Sequence, residues 1–359
     1  VPFLCFFLSG ASGFVFEVIW SRKLSLVFGA STPAISSVLS AFMGGLALGS
    51  WVIGRKVDRL KFPVLVYAAM EAGVGLFALL VPFIIDYVYP PISRWISSHG
   101  GNSFDVFSLL RFFVVAVVLL PPTFFMGATL PLLTRHFVRQ GGELGQRVGA
   151  LYAVNTFGAV AGTFTAGFVL MPTRGLAFTN AAAALTNVAL AVMILLARKK
   201  LLGNAWPTSW RELLPEREPP PPAAGDPEPV ADAAVLSEVD EPSSPGLRRA
   251  VLLAAAGSGF AALAYEVILT RALDMVIGSS VYSFTTILMA FLVGIGGGSA
   301  VASGLLRSRV RPGVAAAFGL ALVAMAAVAY AVYGNRASLM VFTTCVLLSV
   351  MAVLIASTA

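Results

Sequence analysis

Three carboxylates stand well inside apolar stretches of the chain: Glu17, Glu71 and Glu266. A charge at membrane depth costs about 2.5–3.5 kcal/mol on insertion scales, so such groups are retained for pairing, ion binding or proton transfer. Two of the three are related. The stretch Ser9 to Ser50 recurs without a gap as Ser258 to Ser299, identical at 16 of 42 positions, and the alignment pairs Glu17 with Glu266 and Arg22 with Arg271. Carboxylates at matching places in a duplicated helix can face each other and hold a cation or carry a proton. The same residues admit a structural reading. Five residues separate Glu17 from Arg22 and Glu266 from Arg271, which is about 140° of helical rotation, so neither pair shares a helix face. A crossed Glu–Arg pairing between the copies would then lock or gate the two halves, and exposure near the outer surface is a third reading. Glu71 has no acidic mate in the second copy and is a further substrate or gating candidate.

The elements that must position these groups are membrane helices. Apolar residues make up 58% of the 359 residues and charged ones 11%, about half the charge of a soluble domain. At about 20 apolar residues per crossing, the spans fall near 2–21, 32–54, 63–88, 106–133, 146–170 and 176–197, then 250–270, 281–305, 313–333 and 338–358. Lys and Arg cluster after the even-numbered spans, as at Arg55, Lys56, Arg59 and Lys61, and are sparser in the alternate loops. The positive-inside rule therefore predicts a cytoplasmic amino end and cytoplasmic even-numbered span ends. The same clustering accounts for the net charge of +7 without a nucleic-acid partner. With six spans between the copies, the repeat is parallel.

The domain plan is 1–198 as a first six-helix half, 199–248 as a linker, and 249–359 as an incomplete second half of about four helices. The chain begins Val-Pro without Met and stops straight after an apolar run, which marks it as a piece of a longer protein. Residues 203–247 with their flanks hold nine of the 17 carboxylates and lack apolar periodicity, so they read as a disordered cytoplasmic spacer. Gly45 to Gly49, its copy Gly294 to Gly298, and Gly158 to Gly162 place small residues on one helix face for close packing. Pro121, Pro122 and Pro131 are expected to kink the fourth span. Asn155, Thr156, Thr163, Asn180 and Asn187 are expected to bond between helices. His99 and His136, the only histidines, fall in loops on opposite sides, while Cys5 and Cys345 lie in apolar spans. Neither a metal site nor a cofactor is expected in these residues.

Several stretches carry a resemblance. They are GGLALGSWVIGRKVDRLK (Gly44 to Lys61), with Asp58 and Arg59 as its loop motif, PPTFFMGATLPLLTR (Pro121 to Arg135), VGALYAVNTFGAVAGTFTAGFVLMPTRG (Val148 to Gly175) and SGFVFEVIWSRKL (Ser12 to Leu24). Together they resemble the membrane part of the fused major-facilitator/spermidine-synthase family. The acidic residue that major facilitators carry directly after the second span is absent, and the second copy has no Asp-Arg. The resemblance implies a major-facilitator-like, all-α bundle of two parallel repeats. It also implies a cytosolic aminopropyltransferase-like domain beyond Ala359, since these residues contain no catalytic motif. Two functions follow as expectations: alternating-access transport of a small cation such as a polyamine in a bacterial inner membrane, or a non-transporting anchor for the soluble enzyme. A membrane enzyme with its chemistry in the spans fits less well, because the spans lack His clusters and intramembrane acid pairs of the needed kind.

Overall fold

The computed structural model of the chain describes residues 2–28, 32–99, 104–138, 144–197, 213–214, 245–278 and 281–307. Among them the regular structure is entirely helical. The helices are α1 (Pro2–Phe28), α2 (Thr32–Gly54), α3 (Pro63–Phe83), α4 (Tyr89–His99), α5 (Phe104–Val138), α6 (Leu144–Phe164), α7 (Met171–Leu196), α8 (Pro245–Ile277) and α9 (Val281–Arg307). A 3-10 turn at Val57–Arg59 follows α2, and π-helical turns at Ile84–Val88 and Thr165–Leu170 join α3 to α4 and α6 to α7. The expected spans 313–333 and 338–358 and most of the linker lie outside the described residues.

The chain divides into two compact units. The first comprises Val1–Pro215 with Leu263–Arg311, and the second Glu216–Ala262 with Pro312–Ala359, of which the described part is the helical stretch 245–262. In the first unit, five helical regions are long and apolar enough to cross a membrane. The fifth, Gly149–Leu196, is 48 residues long, a helical rise of about 70 Å against a hydrocarbon core of about 30 Å, and so serves for two crossings. Gly175 (φ 80°, ψ 173°) breaks the helix between them in a conformation only glycine adopts readily. Large apolar side chains such as Leu76, Leu80, Val117, Leu185, Val192 and Leu196 point outward. A surface of that kind is suited to lipid rather than water.

The helices exceed the predicted spans where the polypeptide need not stop at the apolar limit. Helix α1 continues to Phe28, and α5 remains one helix through Pro121, Pro122 and Pro131. His99 and His136 fall within α4 and α5 rather than in loops.

Packing in the first unit has a regular plan. Helix α1 packs on α6 and α7, α2 on α5, α3 on α5 and α7, and α9 on α6. Taking α1–α2–α3 and α5–α6–α7 as triplets and exchanging them leaves the pairs among these six helices unchanged: α1·α6 becomes α5·α2, α3·α5 becomes α7·α1, and α3·α7 returns to itself. Glycines form the two tightest crossings. A Cβ on Gly10 would meet Asn155, and one on Gly158 or Gly162 would run into the Phe7 or Ala11 carbonyl oxygen, so α1 and α6 touch backbone to backbone. Gly49 and Gly127 do the same between α2 and α5, where Gly45 lies against the Thr123 side chain. The core holds Phe16, Ile19, Trp20, Phe42, Leu119 and Leu288, with Trp20 stacked on Phe16 (5.0 Å) and edge-on to Phe42 (6.3 Å).

Candidate functional site

The two matching carboxylates lie within electrostatic reach of each other. Glu17 on α1 is fully buried and Glu266 on α8 is 5% exposed, and they lie close enough for their charges to repel. Neither oxygen of Glu17 accepts a hydrogen bond, and Oε1 of Glu266 accepts none. Complete burial excludes surface exposure as the reason for Glu17. The absence of any bond to its oxygens shows that it takes no part in a crossed pair with Arg22 or Arg271.

Beyond the carboxylates, towards the C-terminal ends of α1 and α8, a small open cleft lies between the two copies. Its lining includes Ser21, Arg22 and Ser25 from α1, Ile35 from α2, Thr270 and Asp274 from α8, and Phe284 from α9. Ser21 and Thr270, Ser25 and Asp274, and Ile35 and Phe284 are repeat mates, 249 residues apart in each case. The copies therefore contribute corresponding positions to one cleft. On each first helix the polar residues follow the glutamate at i+4 and i+8, spacing that keeps them near one face. Ser25 Oγ bonds the Ser21 carbonyl oxygen at 2.7 Å, whereas the buried hydroxyls of Ser21 and Thr270 bond nothing.

The arginines act on the mouth of the cleft. Burial raises the Asp274 carboxyl above its ordinary range, and Arg271, a hydrogen bond from Ser283, and Arg22 pull it back. Lys23, next to Arg22 in the sequence, pairs through Nζ with Asp86 at 2.7 Å. Asp58 of the loop motif pairs with Arg135 Nε at 3.2 Å, fastening the turn after α2 to α5.

Glu71 belongs to a different place. On α3 it accepts a hydrogen bond of 2.5 Å from Ser9 Oγ on α1, with the buried Tyr67 hydroxyl beside it. Of the amides expected to bond between helices, Asn180 does so: it accepts from Trp20 Nε1 (3.2 Å) and donates to the Ala78 carbonyl oxygen (2.7 Å), tying α1, α7 and α3. Thr156 instead bonds back to Tyr152 of its own helix, and Thr163 Oγ1 and Asn187 Oδ1 are buried without a partner.

No family model, curated protein or solved structure matches this chain. The site is therefore read from its geometry. Two buried carboxylates one helical turn from a cleft lined by hydroxyls, with no hydrogen bond to either oxygen of Glu17, can bind a cation or exchange protons. Sequence reasoning found the glutamates and missed Ser21, Ser25, Thr270 and Asp274 as cleft residues. The signal available was the i, i+4, i+8 polar series repeated in both copies.

Proposed function

We propose that this chain is a transporter-like membrane domain that moves a small cation, of the polyamine class, by alternating access between two parallel major-facilitator-like halves. The observation that carries the reading is the convergence of Glu17 and Glu266, repeat mates on separate helices, with no cation bonded to Glu17. Like charges placed together out of water are costly unless a positive charge joins them. Held there by the fold, they favour a cationic ligand over a neutral or anionic one.

The exchangeable packing of α1–α2–α3 with α5–α6–α7 supports the fold assignment. Three crossings per triplet are what the inverted 3+3 arrangement inside each half of a major facilitator would require. The cleft lined by repeat mates supports parallel halves. The resemblance of residues 12–24, 44–61, 121–135 and 148–175 to the fused major-facilitator/spermidine-synthase family supports the choice of polyamines and an aminopropyltransferase-like partner domain. Basic residues after the even-numbered spans support a bacterial inner-membrane setting with the Lys23–Asp86 end outside.

Uptake of labelled putrescine and spermidine into proteoliposomes, with and without a pH gradient, tests this. Wild-type protein should take up at least one of them, and Glu17→Gln and Glu266→Gln should each lower uptake by about tenfold or more, the worth of one lost charge contact. Unchanged uptake in the double variant would remove the glutamates from the path. No uptake of any cation by monodisperse wild-type protein would favour the non-transporting anchor.

A further inference from the structure

We propose that Ser9, Tyr67 and Glu71 form a proton-binding site separate from the Glu17/Glu266 pair. Glu71 is fully enclosed between α3 and α1. A carboxylate offers about four acceptor positions, and here Ser9 Oγ fills one, on Oε1. Oε2 and the Tyr67 hydroxyl are both buried and neither meets hydrogen-bond geometry with any other group. Tyr67 precedes Glu71 by four residues, so the two share a helix face, and the phenol sits against the carboxylate.

This set of groups can satisfy the carboxyl in either state. When protonated, the Glu71 O–H donates to Tyr67 Oη and Ser9 Oγ donates to Oε1. When ionised, Ser9 and Tyr67 both donate. One proton binds to or leaves one carboxylate, and a small shift of the Tyr67 side chain brings its hydroxyl within bonding distance of Oε2. No metal is needed, and no cation is bonded to Glu71 among the described residues.

The surrounding elements bring few competing charges. From α1 the neighbouring titratable group is Cys5, one turn before Ser9. Arg174, the charged residue of α7, lies over the Phe178 ring. Arg135 of α5 pairs with Asp58, and Asp86 of the turn after α3 pairs with Lys23. Ser9 and Glu17 lie eight residues apart on α1, about 12 Å along the axis. Protonation of Glu71 thus alters what holds α1 two turns from the facing glutamates. The role of coupling ion for this proton rests on the transport reading above, while the site itself does not.

Infrared difference spectroscopy on the purified full chain, stepped from acid to alkaline pH, reads the site directly. A protonated-carboxyl C=O band at the high frequency of a buried group, distinct from those of the exposed carboxyls and of Glu17 and Glu266, should be present at acid pH and lost as pH rises. Glu71→Gln should abolish it, Ser9→Ala and Tyr67→Phe should move its frequency and midpoint, and Glu17→Gln with Glu266→Gln should leave it in place. The proposal is overturned if wild type shows no such band, if the band survives Glu71→Gln, or, where that variant does not fold, if Ser9→Ala and Tyr67→Phe leave it unmoved. A titrating Glu71 band in a protein that moves no cation would uphold the proton site and defeat the transport reading; normal uptake with no such band would do the reverse.

Discussion

Along one face of α1 the buried polar groups divide into bonded and unbonded ones. Trp20 donates to Asn180, whose own amide donates to Ala78, whereas Glu17, three residues before Trp20, and Ser21, one after, are left with nothing. A buried donor deprived of its partner loses about 1 kcal/mol or somewhat more in a helical membrane bundle. Asn180→Leu orphans the Trp20 N–H and should lower the thermal midpoint by an amount of that size, seen by scanning fluorimetry in detergent. Because Asn180 bonds Trp20 and Ala78 and neither glutamate, cation binding by the folded variant should be preserved; a full loss of binding at permissive temperature would place Asn180 in the site. Glu17 and Glu266 were legible in the sequence because a charge inside an apolar run stands out and the repeat aligned the two. Ser21 and Thr270 were not, because single hydroxyls are common in such helices and gain meaning only when two helices turn them into one cleft. The partner of Asn180, 160 residues away on α1, was equally hidden: side-chain type announces a need for a bond and says nothing of where the bond goes.

The elements themselves were easier to read, since an apolar run of about 20 residues has few alternatives to a helix. Their ends were less so. Helix α1 reaches Phe28 past a predicted end at 21, because the backbone bonds continue after apolar character fails. Helix α5 passes three prolines, residues that usually end helices in water. The small-residue faces did point to the tight crossings in the first half, where Gly45, Gly49, Gly158 and Gly162 all lie against neighbouring helices. Gly294 of the second copy meets no described atom. This contrast gives a matched test at the scale of helix pairs. Gly158→Ala drives a methyl into the Phe7 carbonyl oxygen, so α1 and α6 must part, at a cost of about 1–3 kcal/mol. Gly54→Ala meets nothing within 4 Å, and the better helix propensity of alanine should leave stability unchanged or raise it by up to about 1 kcal/mol. Unfolding titrations of both variants should separate them; equal stability would mean that α1 and α6 have room to spare.

For the first unit as a whole, the two ends of the bundle differ in how they are closed. At one end Asp58 holds α5 through Arg135. At the other the cleft between the repeat copies stays open past Ser21 and Thr270 to Ser25 and Asp274. Close approaches of Gly167 to Thr285 and of Gly296 to Thr156 join α9 to α6 and the turn after it, and in the transport reading this contact would be the pivot about which the cleft side shuts. A rocking bundle must sometimes close the cleft that a static anchor would leave open. With Cys5 and Cys345 replaced by alanine, a cysteine at Ser25, on the cleft wall, should react readily with a membrane-impermeant maleimide added from the Lys23–Asp86 side. A cysteine at Ser12, which is 3% exposed, should not. Saturating spermidine should slow the reaction at residue 25, because a ligand that draws Glu17 and Glu266 together shifts the population towards closure by its differential affinity for that state. A rate at residue 25 that is high and indifferent to every cation tested would describe a bundle that does not rock, and the cleft would then belong to a membrane anchor.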